Sequence, residues 1–293
     1  MFQSVIDSPR RHGVIDVRLR RTLWGVAGLA SSIIAVVVAV VATEALPALR
    51  GVELLRFLND PSWHPTNQRY NLAPMIAGTF LVAGGAVALG TLFGFLSAIF
   101  CCFYAPPRLA GLYRGVMELL AGIPSVILGL WGLTTLVPII AAIKAPGFSV
   151  LSATLVLGLM IVPTIGLVAI ASLQSVPRSL ILGAEALGLP KWLTVVRIAF
   201  PAARSGLIAS VVLGIGRALG ETMAVMMVGG NIVQVPESLF APVRTLAANI
   251  ALEIPYAEGL HRSSLFVSGL FLTLVILVVL CIAEWLGPEP IHD

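Results

Sequence analysis

Apolar positions along this chain fall in long unbroken runs, without the 3.6-residue or two-residue alternation of half-buried elements. A helix needs about 20 apolar residues to cross a bilayer, and six runs offer that length. They cover residues 23–43, 75–104, the charge-free interval between Glu118 and Lys144, then 150–173, 206–229 and 263–283. The fifth is interrupted only by Arg217 and Glu221. None shows the dyad period of a membrane β-barrel. The expected fold class is all-α, a polytopic membrane protein with about six transmembrane helices. The pattern divides the chain into a basic tail at 1–21, a first helix at 22–43, an extracytoplasmic loop at 44–71, a membrane core at 72–284 and a tail at 285–293. A cleaved signal peptide is the alternative for the first run. Its length exceeds the roughly 7–15 apolar residues of a signal core, so an uncleaved span is preferred.

Composition agrees and narrows the class. Of 293 residues, 58% are hydrophobic and 11% charged, against about 25% charged in a soluble domain. That excludes an ordinary soluble enzyme, a disordered chain and a nucleic-acid binder; the net charge of +4 is mild. Lys and Arg set orientation. Arg10, Arg11, Arg18, Arg20 and Arg21, with Arg108, Arg114, Arg178, Lys191, Arg197 and Arg204, outnumber Arg50, Arg56, Arg69, Lys144, Arg244 and Arg262 on the other side. A cell-membrane location with both termini cytoplasmic follows as the expectation.

Chemistry is sparse. Cys101, Cys102 and Cys281 lie inside apolar runs and read as small buried hydrophobes. His12, His64, His261 and His292 fall in tails or outer loops without metal-ligand spacing. A P-loop needs Gly-x-x-x-x-Gly-Lys-Ser/Thr, but Lys144 and Lys191 follow Ile143 and Pro190. No catalytic site, metal or cofactor is expected in this chain. If it pumps, a partner hydrolyses the nucleotide.

Small residues mark close helix contacts in lipid. The fifth run has Gly206, Ser210, Gly214, Ala218 and Thr222 at four-residue spacing, and the second has Ala86, Gly90, Gly94 and Ala98. Both stripes predict tight packing. Pro124, before Ser125, and Pro163, before Thr164, each remove a helical N–H. The freed carbonyls call for a water-lined path or a side-chain partner.

Arg217 lies near the middle of the fifth run, and Glu221 follows at i+4, on the same face of a continuous helix. A charge at that depth costs roughly 2.5–3.5 kcal/mol on insertion scales, so the pair should face protein or an aqueous path. Three roles compete. The guanidinium can bind an oxyanion bidentately, with Glu221 accepting from a protonated form; the two can form a structural salt bridge; or they can relay protons. Glu118 reads as interfacial, at the start of the third span.

The polar loop at 174–204 has Pro177 placed to start a short helix and Gly188 to end it. Trp192 and Arg197 suit an interfacial stretch, broken by Phe200-Pro201 before the fifth run. The short helix is either a handle for another protein or an ordinary connector.

This loop resembles the EAA loop of type I ABC importer permeases. The segment Gly214-Ile215-Gly216-Arg217-Ala218-Leu219-Gly220-Glu221-Thr222-Met223-Ala224-Val225 is similar to the PstC family of phosphate importer permeases. So are Glu118 to Ser125, Gly129-Leu130-Trp131-Gly132, Met160 to Thr164 and Gly259 to Ser263. The resemblance implies the type I ABC importer permease fold and phosphate import by alternating access. It implies a PstA-like permease partner, two ATP-binding subunits that carry ATP and Mg, and an extracytoplasmic phosphate-binding protein. It makes Arg217, Glu221, Thr222 and Ser125 the substrate-path candidates. Leu182, Ala184, Glu185 and Gly188 become the ATPase-coupling candidates. The loop departs from the family where a Glu-Ala-Ala is usual, having Leu182-Gly183-Ala184, with Glu185 one turn closer to Gly188. The rival readings are a type I permease for another oxyanion or small solute, a secondary transporter using Arg217 and Glu221 for ion coupling, and a membrane scaffold.

Overall fold

The computed structural model describes the backbone of residues 9–286, with side chains from 19 to 285 except Glu284. Of the two tails expected from the sequence, residues 1–8 and 287–293 lie outside the described residues. Helix α1 (Pro9–Gly51) carries the first apolar run well past residue 43. Ala45 and Ala48 are fully buried there, so packing on the last helix extends what periodicity alone ends earlier. The loop that follows is ordered: a single helical turn (Arg56–Asn59) and an antiparallel hairpin, β1 (Trp63–His64) with β2 (Arg69–Tyr70), pairing Trp63 with Tyr70. Asp60 pins this hairpin, accepting from Arg56 Nε at 3.1 Å and from the Tyr70 N–H at 2.8 Å. Burial pushes the Asp60 carboxyl up, but these bonds and the charges of Arg56 and Arg69 outweigh it and hold it below the usual carboxylate range.

The remaining helices are α2 (Ala73–Tyr104), α3 (Pro107–Gly122), α4 (Ser125–Ile143), α5 (Val150–Gln174), α6 (Arg178–Ala186), α7 (Lys191–Ala202), α8 (Arg204–Gly220), α9 (Met223–Val228), α10 (Leu246–Glu253) and α11 (Gly259–Leu286). Among the described residues α1, α2, α4, α5 and α11 are each long and apolar enough to cross a membrane, and α8 makes a sixth when joined to α7 across a 78° bend.

The third and fifth runs differ from their sequence reading. Glu118 does not open a span: it sits in α3, where it pairs with Arg114 at 2.9 Å. The chain is extended at Ile123 and Pro124, and the spanning helix begins at Ser125. Pro124 therefore separates two helices instead of kinking one, because its ring disfavours helical backbone at the residue before it. By contrast α5 runs through Pro163 without interruption. The fifth run stops being helical at Gly220; Glu221 is extended (φ −71°, ψ 127°) and a new short helix starts at Met223. Cys281, expected to be buried, is exposed near the end of α11.

Helix α5 is the most enclosed of the spans, with Leu157, Met160, Ile161 and Ile165 at most 1% exposed. Ser149 caps its start, accepting from the Ser152 N–H at 3.1 Å. Both small-residue stripes face it. A Cβ on Gly90 would stand 2.6 Å from Ile161, one on Gly94 3.1 Å from the backbone of Gly166, and one on Gly214 2.6 Å from Ile165. Gly206 meets Ser172 in the same way, while Ala86, Ala98 and Ser210 are fully buried. Thr222 lies past the end of α8 and drops out of its stripe.

Candidate substrate path and coupling loop

Arg217 stands in the last turn of α8, where the carbonyl end of the helix dipole favours a cation by about 0.3–1 kcal/mol. It lines a hollow of about 830 Å³ with Thr164, Ser205, Gly216 and, from α11, Ile276 and Leu280. Apart from Arg217, Thr164 and Ser205 the walls are apolar. Among the described residues no hydrogen bond or ion pair joins Arg217 to Glu221. The break after Gly220 removes the shared face that their spacing implies. Glu221 instead turns toward α9, its Oε1 accepting the Ala224 N–H at 3.2 Å.

Helix α9 is wedged against α4. A Cβ on Gly129 would stand 2.8 Å from the Ala224 Cα, and one on Gly132 3.0 Å from Val228. Ser125 is one helical turn before Gly129 and half-buried. Thr222 is half-buried too, its hydroxyl donating to the Gly220 carbonyl at 3.3 Å. Of the four path candidates, only Arg217 lines the hollow beside Thr164; Glu221 and Thr222 form the joint, and Ser125 opens the helix on which the joint's far side rests. Among the described residues, no three His, Cys, Asp or Glu stand together as a metal site.

The coupling loop is built as its residues dictate. Pro177 precedes α6, and Gly188 ends it in the left-handed region (φ 73°). The Gly188 N–H donates to Glu185 O at 2.9 Å and the Leu189 N–H to Ala184 O at 3.1 Å, the paired bonds of a Schellman cap. Leu182 and Glu185 are exposed, whereas Ala184 is only 2% exposed and faces its own chain. Leu187, at 81% exposed, is the apolar tip that sequence reasoning passed over. Leu182 and Glu185 also border a hollow of about 600 Å³ with Cys102 and Phe103 at the end of α2.

At the opposite end of the bundle lies a polar hub that the sequence reading did not single out. The Glu253 carboxylate accepts from Arg244 at 2.7 Å and from the Trp63 indole at 2.9 Å, and contacts His261 Nε2 at 2.8 Å. Arg244 also donates to Asn249 and to the Asn231 carbonyl. The hub ties β1, the segment after α9, α10 and the start of α11. A lone Glu closing the apolar stretch Leu246-Ala247-Ala248-Asn249-Ile250-Ala251-Leu252 was the available signal.

Comparison with known proteins gives this architecture a context. A family model described as "Binding-protein-dependent transport system inner membrane component" matches residues 90–291. A probable ABC transporter permease protein, YqgH of Bacillus subtilis, is 37% identical over 245 residues, covering 82% of this chain and 79% of its own. The phosphate transport system permease protein PstC of Haemophilus influenzae is 36% identical over 249 residues, covering 78% and 79%. A crystal structure of a bacterial ABC transporter involved in alginate import matches with a TM-score of 0.64 at 15% identity, covering 95% of this chain and 99% of that one. The MetNI methionine ABC transporter in an inward-facing form matches with a TM-score of 0.57 at 17% identity, covering 74% and 92%.

Proposed function

Because the chain belongs to the family of binding-protein-dependent transport system inner membrane components, we propose that it is the permease subunit of an ATP-driven importer of inorganic phosphate. It forms half of a pore with a PstA-like permease. Two ATP-binding subunits carry ATP and Mg, and an extracytoplasmic phosphate-binding protein delivers the substrate. The chain itself holds no nucleotide, and its termini and coupling loop face the cytoplasm.

One observation carries the reading: Arg217 stands in a mostly apolar hollow without an ion-pair partner among the described residues. A guanidinium offers two parallel N–H donors that fit a phosphate oxyanion. Apolar walls strengthen that attraction relative to water. A single cation also lets the anion leave, which passage through a pore requires. The phosphate-specific names of relatives such as the Haemophilus protein support the choice of anion. The exposed tip of α6, with Leu182, Glu185 and Leu187, supports docking in the ATPase, so that nucleotide-driven closure reaches α5 and α8 through the loop's two ends.

The test is phosphate uptake into vesicles holding the four-part complex, with and without internal ATP. Arg217→Ala should abolish uptake while the complex still assembles. Normal uptake by that variant sinks the assignment, loss of assembly supports a purely structural role for Arg217, and equal competition by sulfate supports a broader oxyanion permease.

A further inference from the structure

We propose that Glu221 is a positioning residue and not the charge partner of Arg217. Its carboxylate braces the joint between α8 and α9, and so fixes where the end of α8 presents Arg217. The inference rests on the reading of Arg217 as the substrate cation.

Both sides of the joint are anchored. On the near side, Ala218 and Leu219 are each 4% exposed and belong to the main core. On the far side, α9 seats Ala224 on Gly129 and Val228 on Gly132. The Val228 carbonyl accepts the Ser149 N–H at 3.3 Å, tying α9 to the start of α5. Only Glu221 and Thr222 lie between these bodies. The first N–H groups of any helix lack intrahelical partners, and at α9 the Ala224 N–H finds its acceptor in Glu221 Oε1. Ala224 is also the residue seated on Gly129, so one side chain connects the joint to the contact that locates α9. Were Glu221 to swing to Arg217, this N–H would lose its acceptor and the cation in the hollow would be neutralised. The bracing role needs an acceptor oxygen and not a charge.

Glutamine keeps that oxygen and removes the charge, whereas alanine removes both. The experiment measures KM, Vmax and pH profile of phosphate uptake by the four-part complex in vesicles, for Glu221→Gln and Glu221→Ala, with assembly checked by co-purification. Glu221→Gln should transport within about twofold of the parent, with unchanged KM and pH profile. Glu221→Ala should lose at least about fivefold in Vmax, in line with a buried donor left without its acceptor. A Gln variant as impaired as the Ala variant, a Gln variant that fails to assemble, a shifted pH profile, or a fully active Ala variant each overturns the proposal. Arg217→Ala run in parallel reports separately on the substrate cation, so its failure is not confused with that of the brace.

Discussion

Gly129→Ala puts the seat of α9 under direct test. The added Cβ would lie 2.8 Å from the Ala224 Cα and 3.0 Å from the Met227 sulfur. Ordinary carbon–carbon contact is near 3.5–4.0 Å, so α9 must retreat by roughly 1 Å. The obstacle at Ala224 is backbone and cannot rotate away. Overpacking of this kind costs typically 1–3 kcal/mol. Replacing a helix-interior glycine by alanine returns about 1 kcal/mol. The net effect on folding is therefore small, between neutral and about 2 kcal/mol destabilising, whereas the geometric effect falls wholly on α9 and the joint behind it. Gly84→Ala is the matched control, because nothing stands within 4 Å of its Cβ position in α2; it should be neutral or stabilising by up to about 1 kcal/mol. The assays are thermal unfolding of the purified complex and phosphate uptake in vesicles. Gly129→Ala should lose most uptake for a small shift in Tm, while Gly84→Ala keeps full uptake. Equal uptake by the two variants would refute the reasoning.

Two further outcomes are expected. Thr79→Val should lower stability by about 1–3 kcal/mol, measured by thermal unfolding, because the buried Thr79 hydroxyl accepts the Leu246 N–H at 3.0 Å and leaves that donor without a partner when removed; an unchanged midpoint contradicts it. Cysteine at Leu187 should crosslink to the ATPase subunit and cysteine at Ala184 should not, since the first is 81% and the second 2% exposed; the reverse pattern would place the docking face elsewhere.

Where sequence and structure agree, a single physical rule decides. Residues 150–173 are apolar almost throughout, and α5 is the most enclosed of the spans. The glycines at 90, 94, 206 and 214 are small where helices touch, and spacing alone reveals that. Gly188 ends α6 because only its left-handed backbone lets the two cap bonds form. Disagreement arises where two rules compete. The spacing of Arg217 and Glu221 describes a continuous helix, but Gly220 weakens the helix at that point and a carboxylate can serve the next backbone as readily as a neighbouring guanidinium. Likewise the hydrophobicity of the run between Glu118 and Lys144 conceals a break between helices at Ile123-Pro124. The Glu253 hub was illegible for another reason. Arg244 and His261 lie within nine residues of Glu253, but Trp63 is 190 residues away, and only the closed fold brings all three to one carboxylate.

Ile165 touches the position of the missing Cβ on both Gly90 and Gly214, and lies against Gly94 as well. One side chain thus fills the notch of two different helices, with no slack on either side. A turn of α8 about its own axis would drive Ile165 into α2, so the three helices can only move as a block. Alternating between outward and inward states then becomes a matter of articulation. The bend at residue 203, between α7 and α8, is the place where the block can swing. Slower or faster switching should be sought there, and not within the bundle.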